Sequence, residues 1–227
     1  MGAKTGPATK GSRQCLQQYV NDRQKQSLLN DLLLSSSAAI LATTAVSVEW
    51  LSPLAALDYR EHRDDFLDVL GLKQSEHIVR DFWPEQGPQW DGLARLRDSA
   101  GESAVILVEA KAHPAETESS LMATAPDSIA MIGRAFARTQ GYMGVTKGNW
   151  TDGAYQLANR LAFLYCMNEL VGVPTYLVLV NFVGDKTYRP TSLSEWQAHY
   201  RSVFQHLGLQ PGCRLLDRIA LVFPPAP

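Results

Sequence analysis

The 227-residue sequence predicts a mixed α/β domain, and three observations carry that expectation. Two strand-like segments, 89–97 and 103–112, flank a turn-rich stretch, as in a hairpin. A continuous apolar run over 174–183 (PTYLVLVNFV) has the composition of a strand covered on both faces. Around and between them lie segments whose apolar residues recur every three to four positions. Strands interleaved with such helices imply one sheet flanked by helices.

Taken in order, residues 1–12, rich in Gly, Lys, Thr and Ser, read as a flexible tail, and 13–227 as a single domain. The spacing of Leu16, Tyr19, Val20, Leu28 and Leu32 predicts an N-terminal helix over 13–35. Residues 35–50 show neither helical nor strand periodicity. Ser52 followed by Pro53 reads as an N-cap and first helical position, with Gly71 as the closing cap. Leu54, Leu57, Phe66, Leu67 and Leu70 would form the apolar stripe of that helix. Further helices are expected over 126–140, 152–171 and 192–207, and a final strand over 214–223. The last strand–helix–strand is expected to be a parallel crossover.

Composition is that of an ordinary globular protein, 45% hydrophobic and 19% charged. The formal net charge of -2 gives no global signature of a nucleic-acid binder, although a local basic groove would suffice for one. Cys15, Cys166 and Cys213 lack metal-ligand spacing, and a sparse, odd set suits a reducing compartment. No apolar run approaches the ~20 residues of a membrane span, and the polar start lacks a signal-peptide core. The expected location is the cytoplasm.

The chemistry is concentrated in Trp90-Asp91 and in the run Val105-Ile106-Leu107-Val108-Glu109-Ala110-Lys111. An apolar strand that presents Glu109 and Lys111 two residues apart sets both on one face, ~7 Å apart. Glu-x-Lys alone is weak, because a chain of this length should hold about one by chance. Asp91 raises the signal through register. If residues 98–102 form a five-residue loop, Arg97 opposes Ser103, Leu93 opposes Leu107, and Asp91 opposes Glu109. Opposed residues share a face at ~5 Å, close enough for two carboxylates to hold one cation. A four-residue loop would turn the carboxylates to opposite faces, unless a bulge restored the phase.

With these residues in hand, the chain resembles the PD-(D/E)xK nuclease superfamily and its restriction-endonuclease-like fold. Pro88-Gln89-Trp90-Asp91 takes the role of the first acidic residue, with proline and aspartate separated rather than adjacent. Val108-Glu109-Ala110-Lys111 matches the acidic-x-Lys triplet. The resemblance implies an αβββαβ core over roughly 50–185, with 186–227 as an added helix and strand. It implies a Mg²⁺-dependent nuclease, Mn²⁺ being a possible substitute, with Asp91 and Glu109 as metal ligands and Lys111 positioning the attacking water. An acidic residue on the preceding helix often completes the metal shell in this superfamily; Glu61 is the first candidate and Glu49 the second. Some members carry Gln and Tyr on the helix after the lysine strand, a composition that Tyr155-Gln156-Leu157-Ala158-Asn159-Arg160 resembles. Gln156 and Arg160 are therefore the expected nucleic-acid contacts.

Weaker candidates are Arg134 and Arg138, four apart on one helix, for phosphates; His113 for proton transfer; and Trp83, Trp90 and Trp150 for base stacking. The expected partner is DNA, with RNA open, and a homodimer is one route to cutting both strands. Two alternatives stand beside the nuclease: a catalytically inactive nuclease-fold protein that binds nucleic acid or another partner, and a metal-dependent hydrolase of a different substrate.

Overall fold

The structure, a computed structural model, describes residues 4–37, 40, 45–99, 101 and 103–227. In chain order its main elements are α1 (Gly11–Asn21), α2 (Arg23–Leu34), β1 (Ala45–Ser52), α3 (Phe66–Val69), α4 (Glu76–Phe82), β2 (Gly92–Asp98) and β3 (Ser103–Lys111). They are followed by α5 (Pro126–Met143), α6 (Tyr155–Tyr165), β4 (Thr175–Asn181), α7 (Leu193–His206) and β5 (Ile219–Val222). The five strands form one mixed sheet in the order β1-β2-β3-β4-β5. The first three are antiparallel neighbours, and β3, β4 and β5 run parallel. Helix α7 links β4 to β5, as the expected crossover requires. Its N-terminus is fixed by a capping box between Ser192 and Glu195.

The two-residue period of the strands divides the core into two layers. On β3, Val105 and Leu107 join a cluster with Leu177, Leu179, Phe136, Leu161 and Phe163, under α3 to α7. The alternate residues Ile106, Val108, Ala110 and Ala112 pack with Val178, Val180, Phe182, Leu16, Tyr19 and Leu33, under α1 and α2. Each fully buried Leu or Phe of this kind contributes about 1.5–3 kcal/mol. The sheet is thus sandwiched, and Glu109 and Lys111 face the α6 side because they share the phase of Leu107.

Several sequence expectations are corrected. The N-terminal helix is two helices, because Asp22 adopts an extended conformation and its carboxylate accepts from Gln24 and Lys25 N–H. Asp is a better cap than a helix-interior residue. Leu28, counted in the stripe, is exposed, whereas Leu29 and Leu33 are buried. Residues 4–10, expected as a flexible tail, are hydrogen-bonded along the body: Gly6 N donates to Asp58 O and Glu61 N to Lys4 O.

The helix expected to begin at Ser52 does not form. Strand β1 continues through Ser52, which pairs with Leu93. The presumed stripe serves both layers: Leu54 packs on the α1–α2 side, while Phe66, Leu67 and Leu70 join the opposite cluster. No single helix can face both sides of a sheet. Asp58 and Tyr59 adopt the left-handed conformation, and Leu57 is 57% exposed. Glu61 therefore lies on an extended segment beside the His62–Trp90 bridge, not on a helix. Of the ambiguous 35–50 stretch, 45–50 belong to β1, while 38, 39 and 41–44 lie outside the described residues.

Candidate active site

The β2–β3 hairpin has the register read from the sequence. Arg97 pairs with Ser103, Leu93 with Leu107 and Gly92 with Val108. Asp91 stands one residue beyond this ladder, its N–H donating to Val108 O at 3.2 Å. Its Oδ2 accepts the Ala110 N–H at 2.8 Å, which anchors the carboxylate beside Glu109. Gly92 permits the approach: a Cβ there would sit 3.2 Å from Ser52 O and 3.3 Å from the Trp50 ring. A larger residue would push β1 away from the strand that carries Asp91.

Glu109 and Lys111 are 5% and 8% exposed, so the pair is deep. Lys111 Nζ donates to Glu109 Oε1. Glu109 Oε2 accepts from Arg160 Nε at 2.7 Å, with Arg160 Nη2 at 2.6 Å. Arg160 also gives Nη1 to Asn159 Oδ1 and Nη2 to Gln89 O, both at 2.7 Å. Its guanidinium lies 4.8 Å from the centre of the Trp90 ring. This fork-shaped donor is thus committed within the protein and fixes the rotamer of Glu109.

The electrostatics of the two carboxylates differ. Burial disfavours ionised Glu109, yet Arg160 and then Lys111 hold its carboxyl below the usual range. For Lys111 burial acts to lower the pKa, but Glu109 and Asp91 outweigh it and the ammonium is held more firmly charged. Asp91 is pushed up to about 7, first by removal from water and then by the negative charges of Glu109 and Glu61; Lys111 and the Ala110 N–H pull the other way. Among the described residues, no lysine or arginine makes an ion pair with Asp91.

Glu61 is 1% exposed and both oxygens are engaged: Oε1 accepts from Arg13 Nε at 2.9 Å, and Oε2 from Gln89 Nε2 at 2.7 Å. It influences Asp91 through its charge while its hydrogen bonds tie the N-terminal segment to the 87–91 segment. Glu49 belongs to a different place, ion-paired to Arg97 and Arg95 on the β1–β2 surface.

A cleft of about 520 Å³ reaches Asp91 and Lys111, whereas Glu109 lines a separate cavity of about 20 Å³ with Lys111, Thr117, Gln156, Leu157, Leu179, Tyr200 and Val203. Asp91, Ala110 and Lys111 line the cleft with Lys4, Ser12 and Arg13 from the N-terminal segment, Arg63 and Gly87–Gln89 on another side, and Tyr155, Gln156, Asn159 and Arg160 from α6. Gln156 and Arg160 both line the cleft, although the donors of Arg160 are directed to Glu109, Asn159 and Gln89. The remaining candidates lie elsewhere. Arg134 is exposed on α5, and Arg138 sits over Tyr165. His113 caps the turn 114–117, its Nδ1 accepting from Ala115 N. Trp83, Trp90 and Trp150 are buried, which overturns base stacking for all three. Arg13, Lys4, Arg63 and Gln89 escaped the sequence reading as site residues. Gln89 stood inside the motif around Asp91, but nothing local marked the other three.

For a metal, the donor set is hard and oxygen-only: the cleft lining contains no Cys or His among the described residues. Nor do the described residues gather three His, Cys, Asp or Glu side chains into a metal cage. Asp91, which lines the open cleft, and the neighbouring Glu109 are the oxygen donors that would suit a cation such as Mg²⁺, which keeps several waters and shares its remaining positions with substrate oxygens. Asp91 and Glu109 could supply those two ligands. Among the described residues no helix is long and apolar enough to cross a membrane. The chain matches no family model, no curated protein and no solved structure.

Proposed function

We propose that this protein is a Mg²⁺-dependent nuclease hydrolysing phosphodiester bonds of DNA, with a restriction-endonuclease-like core. One observation carries the reading: Asp91 and Lys111 line a cleft with Glu109 bonded to Lys111 directly behind it, and among the described residues no lysine or arginine makes an ion pair with Asp91. A mixed sheet flanked by helices, with the antiparallel β2–β3 hairpin followed by a parallel β4, supports the reading. The cleft lining carries Lys4, Arg13, Arg63, Lys111 and Arg160 beside Asp91 and Glu116, and Glu61 and Glu109 pair with four of these cations, so the site is near charge balance. The cations of that lining are the groups that would meet a polyanion.

Asp91 and Glu109 would hold the metal, which when bound polarises the phosphodiester and acidifies a coordinated water. Lys111, kept charged, acts as a hydrogen-bond donor rather than a base: it would orient the attacking water and offset charge on the phosphoryl oxygens. Arg160 holds Glu109 in place beside Lys111. Gln156 and Tyr155, on the first turn of α6, would contact the substrate backbone. Glu61 would act through Arg13 and Gln89 rather than as a third ligand.

One observation favours a second reading, a nuclease-fold binding protein without catalysis: both oxygens of Glu109 are already held, by Lys111 and by Arg160. Each carboxylate oxygen has a second lone pair, so this does not bar a cation. Incubation of the full chain with DNA and Mg²⁺ separates the readings. Cleavage that is abolished by EDTA and by Lys111→Ala supports the enzyme. Binding without strand scission under Mg²⁺ or Mn²⁺ supports the rival.

A further inference from the structure

The N-terminal segment closes one side of the cleft, and it does so through specific bonds. Arg13, on the first turn of α1, binds Glu61 through Nε and the carbonyls of Thr5 and Gly6 through Nη2, at 2.8 and 3.0 Å. Ser12 Oγ donates to Glu116 at 2.9 Å, and Gly11 N to Thr187 Oγ1 at 3.0 Å. The segment therefore spans from the chain before β2 to the loops after β3 and β4, across the end of the sheet that carries Glu109 and Lys111.

Its effect is to deepen the cleft above Lys111 and Asp91. Lys111, 8% exposed, lies beneath walls formed by Lys4, Ser12 and Arg13, by Arg63 with 87–89, and by the start of α6. A cleft of about 520 Å³ is the size that encloses a small organic ligand, on the scale of about one or two nucleotides. The backbone of an intact duplex is held at the rim of such a cleft by its paired partner. An unpaired strand can bend into it. Two cations at the mouth have side chains available for phosphate: the Lys4 ammonium, 61% exposed and 3.7 Å from Glu61, and the half-buried Arg63, whose Nη2 contacts Gln89 at 3.2 Å.

We infer that the substrate is taken as a single strand, such as an unpaired end or flap, whose phosphates adjoining the scissile bond are gripped by Lys4 and Arg63. The inference rests on the nuclease reading and names the substrate form for that site. Binding and cleavage test it separately. Fluorescence anisotropy of the full chain in EDTA compares a labelled oligonucleotide of about 16 nucleotides, as a single strand and as a blunt duplex. The single strand is expected to bind about tenfold more tightly. Lys4→Ala/Arg63→Ala should weaken single-strand binding and reduce the salt slope by about 0.7 per lost phosphate contact. Lys4→Ala alone, at an exposed side chain, checks that a fold defect is not the cause, and Lys73→Ala, a distant exposed lysine, should change nothing. Equal or tighter duplex binding, or unchanged single-strand affinity in the double variant, overturns the inference.

Cleavage in Mg²⁺ then uses the same oligonucleotides and covalently closed circular duplex. Closed circles cut as fast as single strands overturn the inference and leave the nuclease intact. Selective single-strand binding without cleavage under any divalent condition overturns the nuclease reading, while the strand-gripping role of Lys4 and Arg63 stands.

Discussion

The protein treats the two carboxylates of the site, one behind Lys111 and one lining the cleft, in opposite ways. Glu109, on the α6 side, is gripped by Lys111 and Arg160 and is kept ionised despite burial. Asp91, at the cleft, receives the Ala110 main-chain N–H and is pushed up to about 7. Adjacent carboxylates therefore do not behave as a symmetric pair. One is neutralised internally and fixes geometry; the other feels Lys111 but, among the described residues, makes no ion pair, and a cation from outside would compensate it.

The comparison breaks most visibly in activity. Asp91→Asn should lower Mg²⁺-dependent cleavage by about a thousandfold, the equivalent of about 4 kcal/mol of transition-state stabilisation, measured as single-turnover rate. A residual rate near that of the unaltered protein would mean that Asp91 does not serve the metal. Next comes the buried clamp. Arg160→Ala leaves Glu109 with one cation and should destabilise the fold by about 3 kcal/mol in urea titration, the low end for breaking a buried pair. A loss under about 1 kcal/mol would show that Lys111 alone compensates Glu109.

A smaller effect sharpens the contrast through pH. Asp91 has a folded-state pKa above its ordinary 3.8. Its contribution is therefore full below about pH 4 and is lost as pH rises through about 7. Glu109 has the opposite sign, contributing above its unfolded value and losing that contribution only in acid. In the absence of divalent cations, Asp91→Asn should consequently gain in melting temperature over the wild type as pH rises from 5 to about 8. A difference that stays flat with pH would contradict the assigned asymmetry. Smallest is the exposed control: Glu49 and Arg97 are both 42% exposed, so Arg97→Ala should cost at most about 1 kcal/mol.

The hairpin was legible because every signal in it is local. Alternation along β3, the turn-rich 98–102 and the two-residue period together fix which side chains share a face, and the pairing of Leu93 with Leu107 follows. The segment after Ser52 was not legible for a complementary reason. Its apolar residues have helical spacing, but Leu54 and Phe66 pack on opposite sides of the sheet, a fact that only tertiary structure decides. Glu61 was found as a residue yet assigned to a helix that does not form. Its partners explain the miss: Arg13 is 48 positions away and Gln89 is 28. The bond from Arg160 to Glu109 spans 51 positions and was equally invisible, although Arg160 itself was singled out as a contact residue.

The central claim, that Asp91 and Glu109 jointly take a cation, is tested most directly by a crystal of the full chain soaked in Mn²⁺ and measured at the metal absorption edge. The account predicts one anomalous peak between Asp91 Oδ1 and Glu109, with oxygen ligands at about 2.1–2.2 Å and Arg160 still bound to Glu109 Oε2. Saturating Mn²⁺ with no peak there, and Glu109 still shared only by Lys111 and Arg160, would contradict it.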